Sequence, residues 1–262
     1  MISKSSPGDD ATKVNRDIRE DEPSSVCGVD EAAFKSEPSR RRFLQMTVAG
    51  TVTGLVTAAG AELATPRPLM AQSTLSPDAA LQRLMEGNAR FTSGRITSNE
   101  HDLEILKQHT VDKQEPYAGV LSCADSRVPI ELIFDESIGH IFVARIAGNI
   151  ATSEIIASIE YGAAVLGTKV IVVIGHRNCG AVKAAIQAKE VPGQISALYP
   201  HLRPAVNQAG PDLEAATKAN AKIQASLLRE ASTVIAGLVK ENKLKVVAAY
   251  YDVGAGSVTL LE

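Results

Sequence analysis

The sequence predicts an α/β fold, with a mostly parallel central β-sheet flanked by helices. Two observations carry this. Short apolar runs of strand length, above all Lys169 to Ile174, lack the apolar-polar alternation of a half-exposed sheet and so read as strands covered on both faces. Segments of helical period lie between and after them, and strand-helix-strand alternation points to parallel strands joined by crossover helices.

The elements follow in order. Ser76-Pro77-Asp78 opens a helix with Pro at its first position, and Leu81, Leu84 and Met85 continue it at helical spacing through Asn88 and Phe91 to Gly94. The apolar stripe of this helix needs covering. A second helical stretch is expected from His101 to Thr110, and Pro116 then leads into the first strand, Tyr117 to Leu121. His140 to Arg145 is a second strand, Ser153 to Gly167 has helical period, and Lys169 to Ile174 is a nearly β-branched third strand. Helical patterns then cover Ala181 to Gln187, Ile195 to Gln208 and Pro211 to Val239. Two closing strands, Leu244 to Tyr251 and Ser257 to Leu261, flank a turn containing Gly254 and Gly256.

A chain of 262 residues with 45% hydrophobic residues supports one sizeable core plus a leader. A formal net charge of -3 and the lack of a basic stripe argue against a nucleic-acid partner. Aromatic residues make up 4% and Trp is absent, which leaves little for stacking on bases or sugars. Three cysteines, Cys27, Cys123 and Cys179, do not make a disulfide framework.

Three regions are expected: a polar extension over 1–38, a targeting segment and linker over 39–72, and one domain over 73–262. The extension is rich in charged residues, Ser and Pro, without apolar period, and is expected to be disordered. Ser39-Arg40-Arg41-Arg42-Phe43-Leu44, followed by small, weakly apolar residues to Ala61, resembles a twin-arginine export signal. That resemblance implies passage through the twin-arginine machinery to the periplasm or another extracytoplasmic location, free or at the outer face of the inner membrane. The apolar stretch is diluted by Thr and Gly and falls short of the ~20 apolar residues of a membrane span. Small residues at Ala59-Gly60-Ala61 and near Ala71 suit cleavage, which would remove Cys27 with the leader.

The chemistry concentrates in two segments directly after the first and third apolar strands, where ligands bind in open α/β sheets. They are Cys123-Ala124-Asp125-Ser126-Arg127 and His176-Arg177-Asn178-Cys179-Gly180. Two thiolates, an imidazole and a carboxylate make a tetrahedral donor set suited to zinc. Other readings stay open: buried apolar cysteines, a disulfide formed after export, or a purely structural zinc. Asp125 and Arg127 can likewise be read as an ordinary salt bridge at a helix start.

Cys-x-Asp-Ser-Arg followed by His-x-x-Cys-Gly, with Arg145-Ile146-Ala147-Gly148-Asn149 between them, resembles the signature of β-class carbonic anhydrases over Pro77 to Leu261. The resemblance implies the β-carbonic anhydrase fold and one Zn²⁺ per chain on Cys123, His176 and Cys179. It implies reversible hydration of carbon dioxide to bicarbonate and a proton by zinc-bound hydroxide. Asp125 would be either a fourth ligand or the partner of Arg127, and only the second arrangement leaves room for water. Gln114, Phe142 and Tyr161 match the substrate pocket of the plant-like members, with Gly180 beside it. An obligate homodimer or higher oligomer is implied, its N-terminal helical arm wrapping the partner and Gln114 reaching across. Rivals are a carbon disulfide or carbonyl sulfide hydrolase on the same fold, a non-catalytic zinc-binding protein, and a disulfide-bonded module.

Overall fold

The computed structural model describes residues 73–98, 104, 111 and 113–262. The polar extension, the twin-arginine motif with the stretch behind it, and Cys27 lie outside the described residues. So does the helical stretch expected from His101 to Thr110, apart from Glu104. No described helix is long and apolar enough to cross a membrane.

Helix α1 (Pro77–Thr92) starts where its signals place it. The Ser76 hydroxyl accepts from the Ala79 N–H, Pro77 sits in the first turn, and Asp78 faces the positive end of the helix dipole. Its buried residues Ala80, Leu81, Leu84, Gly87 and Asn88 form one stripe. Gly87 is required by close approach: a Cβ there would lie 1.8 Å from the Phe134 carbonyl oxygen. Phe134 follows α2 (Ile130–Ile133), a single turn too short for its period to be legible in sequence.

Strands β1 (Ala118–Ser122), β2 (Ile141–Arg145), β3 (Val170–His176), β4 (Lys245–Asp252) and β5 (Ser257–Leu261) form one sheet in the order β2-β1-β3-β4-β5. The first four are parallel and β5 is antiparallel to β4. The other α-helices among the residues from 113 on are α3 (Ser153–Glu160), α4 (Gly180–Gln187), α5 (Tyr199–Ala209), α6 (Leu213–Ala231) and α7 (Thr233–Lys240). On one face of the sheet Leu84, Ile130 and Phe134 cover Val120, Val172 and Ile174. On the other, Ile159, Leu228 and Ile235 cover Leu121, Ile171 and Val173. Every residue of β3 is buried, which explains its uninterrupted apolar run.

Three expected helices differ in detail. The segment expected as one helix from Pro211 to Val239 is two, broken at Ser232, whose backbone is extended and whose hydroxyl accepts from Ile235 N–H to cap α7. The helix after β2 does not remain α-helical to Gly167: Tyr161–Val165 forms a π-turn, with Leu166 N–H donating to the Tyr161 carbonyl at 3.1 Å. The segment from Ile195 begins as a 3₁₀ turn (Ile195–Leu198) and becomes α-helical only at Tyr199.

Two buried carboxylates tie α1 to the loop before β2. Asp135 pairs with Arg90 and accepts from the N–H groups of Thr97 and Ser98, while Glu136 meets Arg83, the Tyr117 hydroxyl and His140. Burial alone would raise the Asp135 pKa, but Arg90 and the two amides outweigh it and hold the carboxyl well below its usual range. Because the folded-state pKa is depressed, the stabilisation is present above about pH 4 and is lost as pH falls through the folded value. Arg90→Ala is therefore expected to cost about 3 kcal/mol at neutral pH by leaving Asp135 buried without its cation. Denaturant unfolding at pH 7 and pH 3 measures this; the cost should shrink at the lower pH.

Candidate metal centre

The chain runs from β1 to β2 on one side of the sheet and returns to β3 on the other side of β1. The crevice of such a sheet opens where the winding reverses, between β1 and β3. Cys123 directly follows β1, His176 is the last residue of β3, and Cys179 immediately precedes α4. All three are buried, and their ligand atoms lie within 4.8 Å of one another. Both thiols are free, so the sulfurs are not joined in a disulfide.

The donor set fits a metal ion on its own geometry. Nδ1 of His176 faces the Arg177 carbonyl at 3.1 Å, which requires the proton on Nδ1 and leaves Nε2 as a bare acceptor. That Nε2 is buried and has no hydrogen-bond partner among the described residues, a costly arrangement that a cation relieves. The two sulfurs shift each other's pKa in opposite directions. The hydrogen bond from Cys179, with that from the Gly148 N–H, holds the Cys123 thiol below its usual range against the opposing effect of burial. The same contact, together with burial, pushes Cys179 up. A divalent cation held there would take both sulfurs as thiolates and release their protons.

Asp125 lies outside this three-atom cluster. Of the two arrangements expected for it, the structure has the second: Arg127 binds it through two parallel contacts, Nε to Oδ1 at 2.9 Å and Nη2 to Oδ2 at 2.8 Å, and the Arg127 N–H adds a third at 2.9 Å. Asp125 is therefore not one of the clustered ligands, and its Oδ2 stands 3.9 Å from Nε2 of His176. Arg127 is the main cause that holds this carboxyl far below its usual range. Arg127 also reaches the Asn178 carbonyl at 3.3 Å and so links the two ligand loops.

The pocket residues expected from sequence are dispersed within one chain. Phe142 and Tyr161 do meet, with ring centroids 6.2 Å apart and planes tilted by 45°. Phe142, however, is in register with Gly119, four residues before Cys123, so the pair lies roughly 13 Å back along the strand direction. Gln114 is exposed in the segment leading to β1, nine residues before Cys123. Gly180 is the exposed first residue of α4, with open space where a Cβ would be.

Other contributors come from the Arg145 to Asn149 motif and from α6. Arg145 holds the first ligand loop by donating to the carbonyls of Cys123, at 2.9 Å, and Asp125. The Gly148 N–H donates to the Cys123 sulfur at 3.3 Å. Asn220 and Gln224, buried on α6, bond the loop containing Gly148 across more than seventy positions of sequence. Only their buried polarity on a largely apolar helix face could have marked them.

Fold and site together define an α/β protein with a buried donor cluster able to hold a metal ion, converging at the carboxyl ends of two adjacent parallel strands. The carbonic anhydrase family profile matches residues 118–258. Carbonic anhydrase 2 of Mycobacterium tuberculosis is 43% identical over 113 residues, covering 43% of this chain and 54% of the relative. The carbonic anhydrase of Pseudomonas aeruginosa is 30% identical over 198 residues, 70% of this chain and 88% of that protein. Among solved structures, a β-carbonic anhydrase of the fungal pathogen Aspergillus fumigatus is 27% identical, with a TM-score of 0.56 over 71% of this chain and 90% of the other. The chain belongs to the β-class carbonic anhydrase family. Its match to the mycobacterial relative spans about half of that protein's length.

Proposed function

We propose that this chain catalyses the reversible hydration of carbon dioxide to bicarbonate and a proton, with Zn²⁺ held by Cys123, His176 and Cys179. The observation that carries the reading is the buried cluster of two free thiols and an unpartnered imidazole nitrogen, with an Arg-locked carboxylate 3.9 Å from that nitrogen. Zinc bound there supplies the Lewis acidity that brings the pKa of water toward neutrality, chemistry for which carbonic anhydrases themselves are the reference case.

The protein's own groups do the rest. Asp125, ionised and acceptor-only, takes a hydrogen bond from the attacking oxygen and aims its free lone pair at the carbon of carbon dioxide. Arg127 fixes that carboxylate through two parallel contacts and leaves it no freedom to turn toward the cluster. As the new C–O bond forms, one C=O π pair moves onto oxygen to give bicarbonate, and the proton released from water leaves for the solvent. Gln114, Phe142 and Tyr161, the residues shared with the plant-like subtype, serve as the pocket for this small apolar substrate. Their distance from Cys123 within one chain fits a homodimer in which the partner's copies complete the pocket. Ser39 to Leu44 supports delivery by the twin-arginine route to an extracytoplasmic site, and on this reading the mature enzyme comprises residues 73–262.

Stopped-flow measurement of carbon dioxide hydration by the purified chain between about pH 6.5 and 9, with zinc determined on the same sample, tests this. One zinc per chain with activity that rises with pH is expected. Bound zinc without hydration would overturn the substrate assignment and point to carbonyl sulfide or carbon disulfide.

A further inference from the structure

We propose that Asn220 and Gln224 of α6 are positioning residues for the Cys123 sulfur, acting through Gly148 to set how firmly the site holds its metal; this rests on the zinc reading above. Gly148 sits at φ +78, where a Cβ would press on Leu202 at 3.1 Å and Ala181 at 3.3 Å, so the position needs glycine. Glycine has no side chain to fix its own orientation, and the N–H···S contact to Cys123 therefore depends on what grips the neighbouring peptide groups.

The grip comes from α6. Asn220 Nδ2 donates to the Gly148 carbonyl at 2.8 Å. Gln224 Nε2 donates to Asn220 Oδ1 at 3.1 Å and to the His201 carbonyl of α5 at 3.3 Å, while its Oε1 accepts from Ala151 N–H at 2.8 Å. Asn220 is fully buried and Gln224 is 1% exposed, so no water competes for these bonds. The resulting relay runs from Gln224 through Asn220 and Gly148 to Cys123. It aims an amide at the sulfur and tempers the charge that the sulfur donates to a bound cation. Outer groups of this kind orient and tune metal ligands in general.

The test measures zinc affinity of the full chain by competition with a chromophoric chelator, together with the thiolate-to-metal absorption band after cobalt substitution. Asn220→Leu is expected to weaken zinc binding roughly 10- to 100-fold and to shift the cobalt band. Gln224→Met, which leaves the Asn220–Gly148 bond in place, should move both readouts in the same direction by less. Asn88→Leu is the control for a lost buried amide, because Asn88 bonds Ile133, Gly256 and Val258, none of which is in either ligand loop; it should lower the unfolding temperature and leave both metal readouts unchanged. The proposal is overturned if both α6 variants match the unmodified chain, or if Asn88→Leu weakens zinc as much as they do. If the unmodified chain itself takes up no zinc, the metal assignment fails and this inference with it.

Discussion

Cys179→Ala is expected to remove bound zinc and reduce carbon dioxide hydration to the uncatalysed background. Cys179 is fully buried among Val182, Leu202 and Ala216, an apolar setting in which an alanine side chain is tolerated. The metal-free fold should therefore survive while one of three donor atoms disappears. Zinc content after gel filtration, read beside the hydration rate and the circular dichroism spectrum, separates loss of metal from loss of fold. Retention of stoichiometric zinc with normal activity would remove Cys179 from the site.

The second large effect concerns Asp125. Asp125→Asn preserves the shape of the side chain, and its remaining oxygen can still accept from Arg127. It withdraws the negative charge and turns one acceptor into a donor pointing toward the cluster. Hydration is expected to fall roughly 10²- to 10³-fold in kcat, with zinc content unchanged. Arg127→Lys should lie between this variant and the unmodified chain, because an ammonium cannot make the two parallel contacts seen at 2.8 and 2.9 Å. Equal zinc and equal kcat in Asp125→Asn would show that the carboxylate has no part in the chemistry.

Much of the site is legible in the sequence because its ligands are local. Cys123 with Asp125 and Arg127, and His176 with Cys179, each occupy one short segment after an apolar strand, and the strand ends are where α/β sheets place ligands. β1 and β3 prove to be neighbours, in register from Ala118 opposite Val170 to Ser122 opposite Ile174. The break at Ser232 and the π-turn at Tyr161 are less legible. In both places the apolar period continues while a cap or an extra residue redirects the backbone.

The sequence by itself determined the α/β class, the five strands, the family resemblance and the three clustered donors, because strand burial and short-range motifs leave periodic or local traces. Only the tertiary structure decided that Asp125 pairs with Arg127 and lies outside the donor cluster, that Phe142 and Tyr161 stand well back from Cys123 in their own chain, and that Asn220 grips the loop that touches the Cys123 sulfur. Each of these depends on which polar atoms meet across the fold. Hydrogen bonding between groups distant in the chain follows from packing and leaves no period in the sequence.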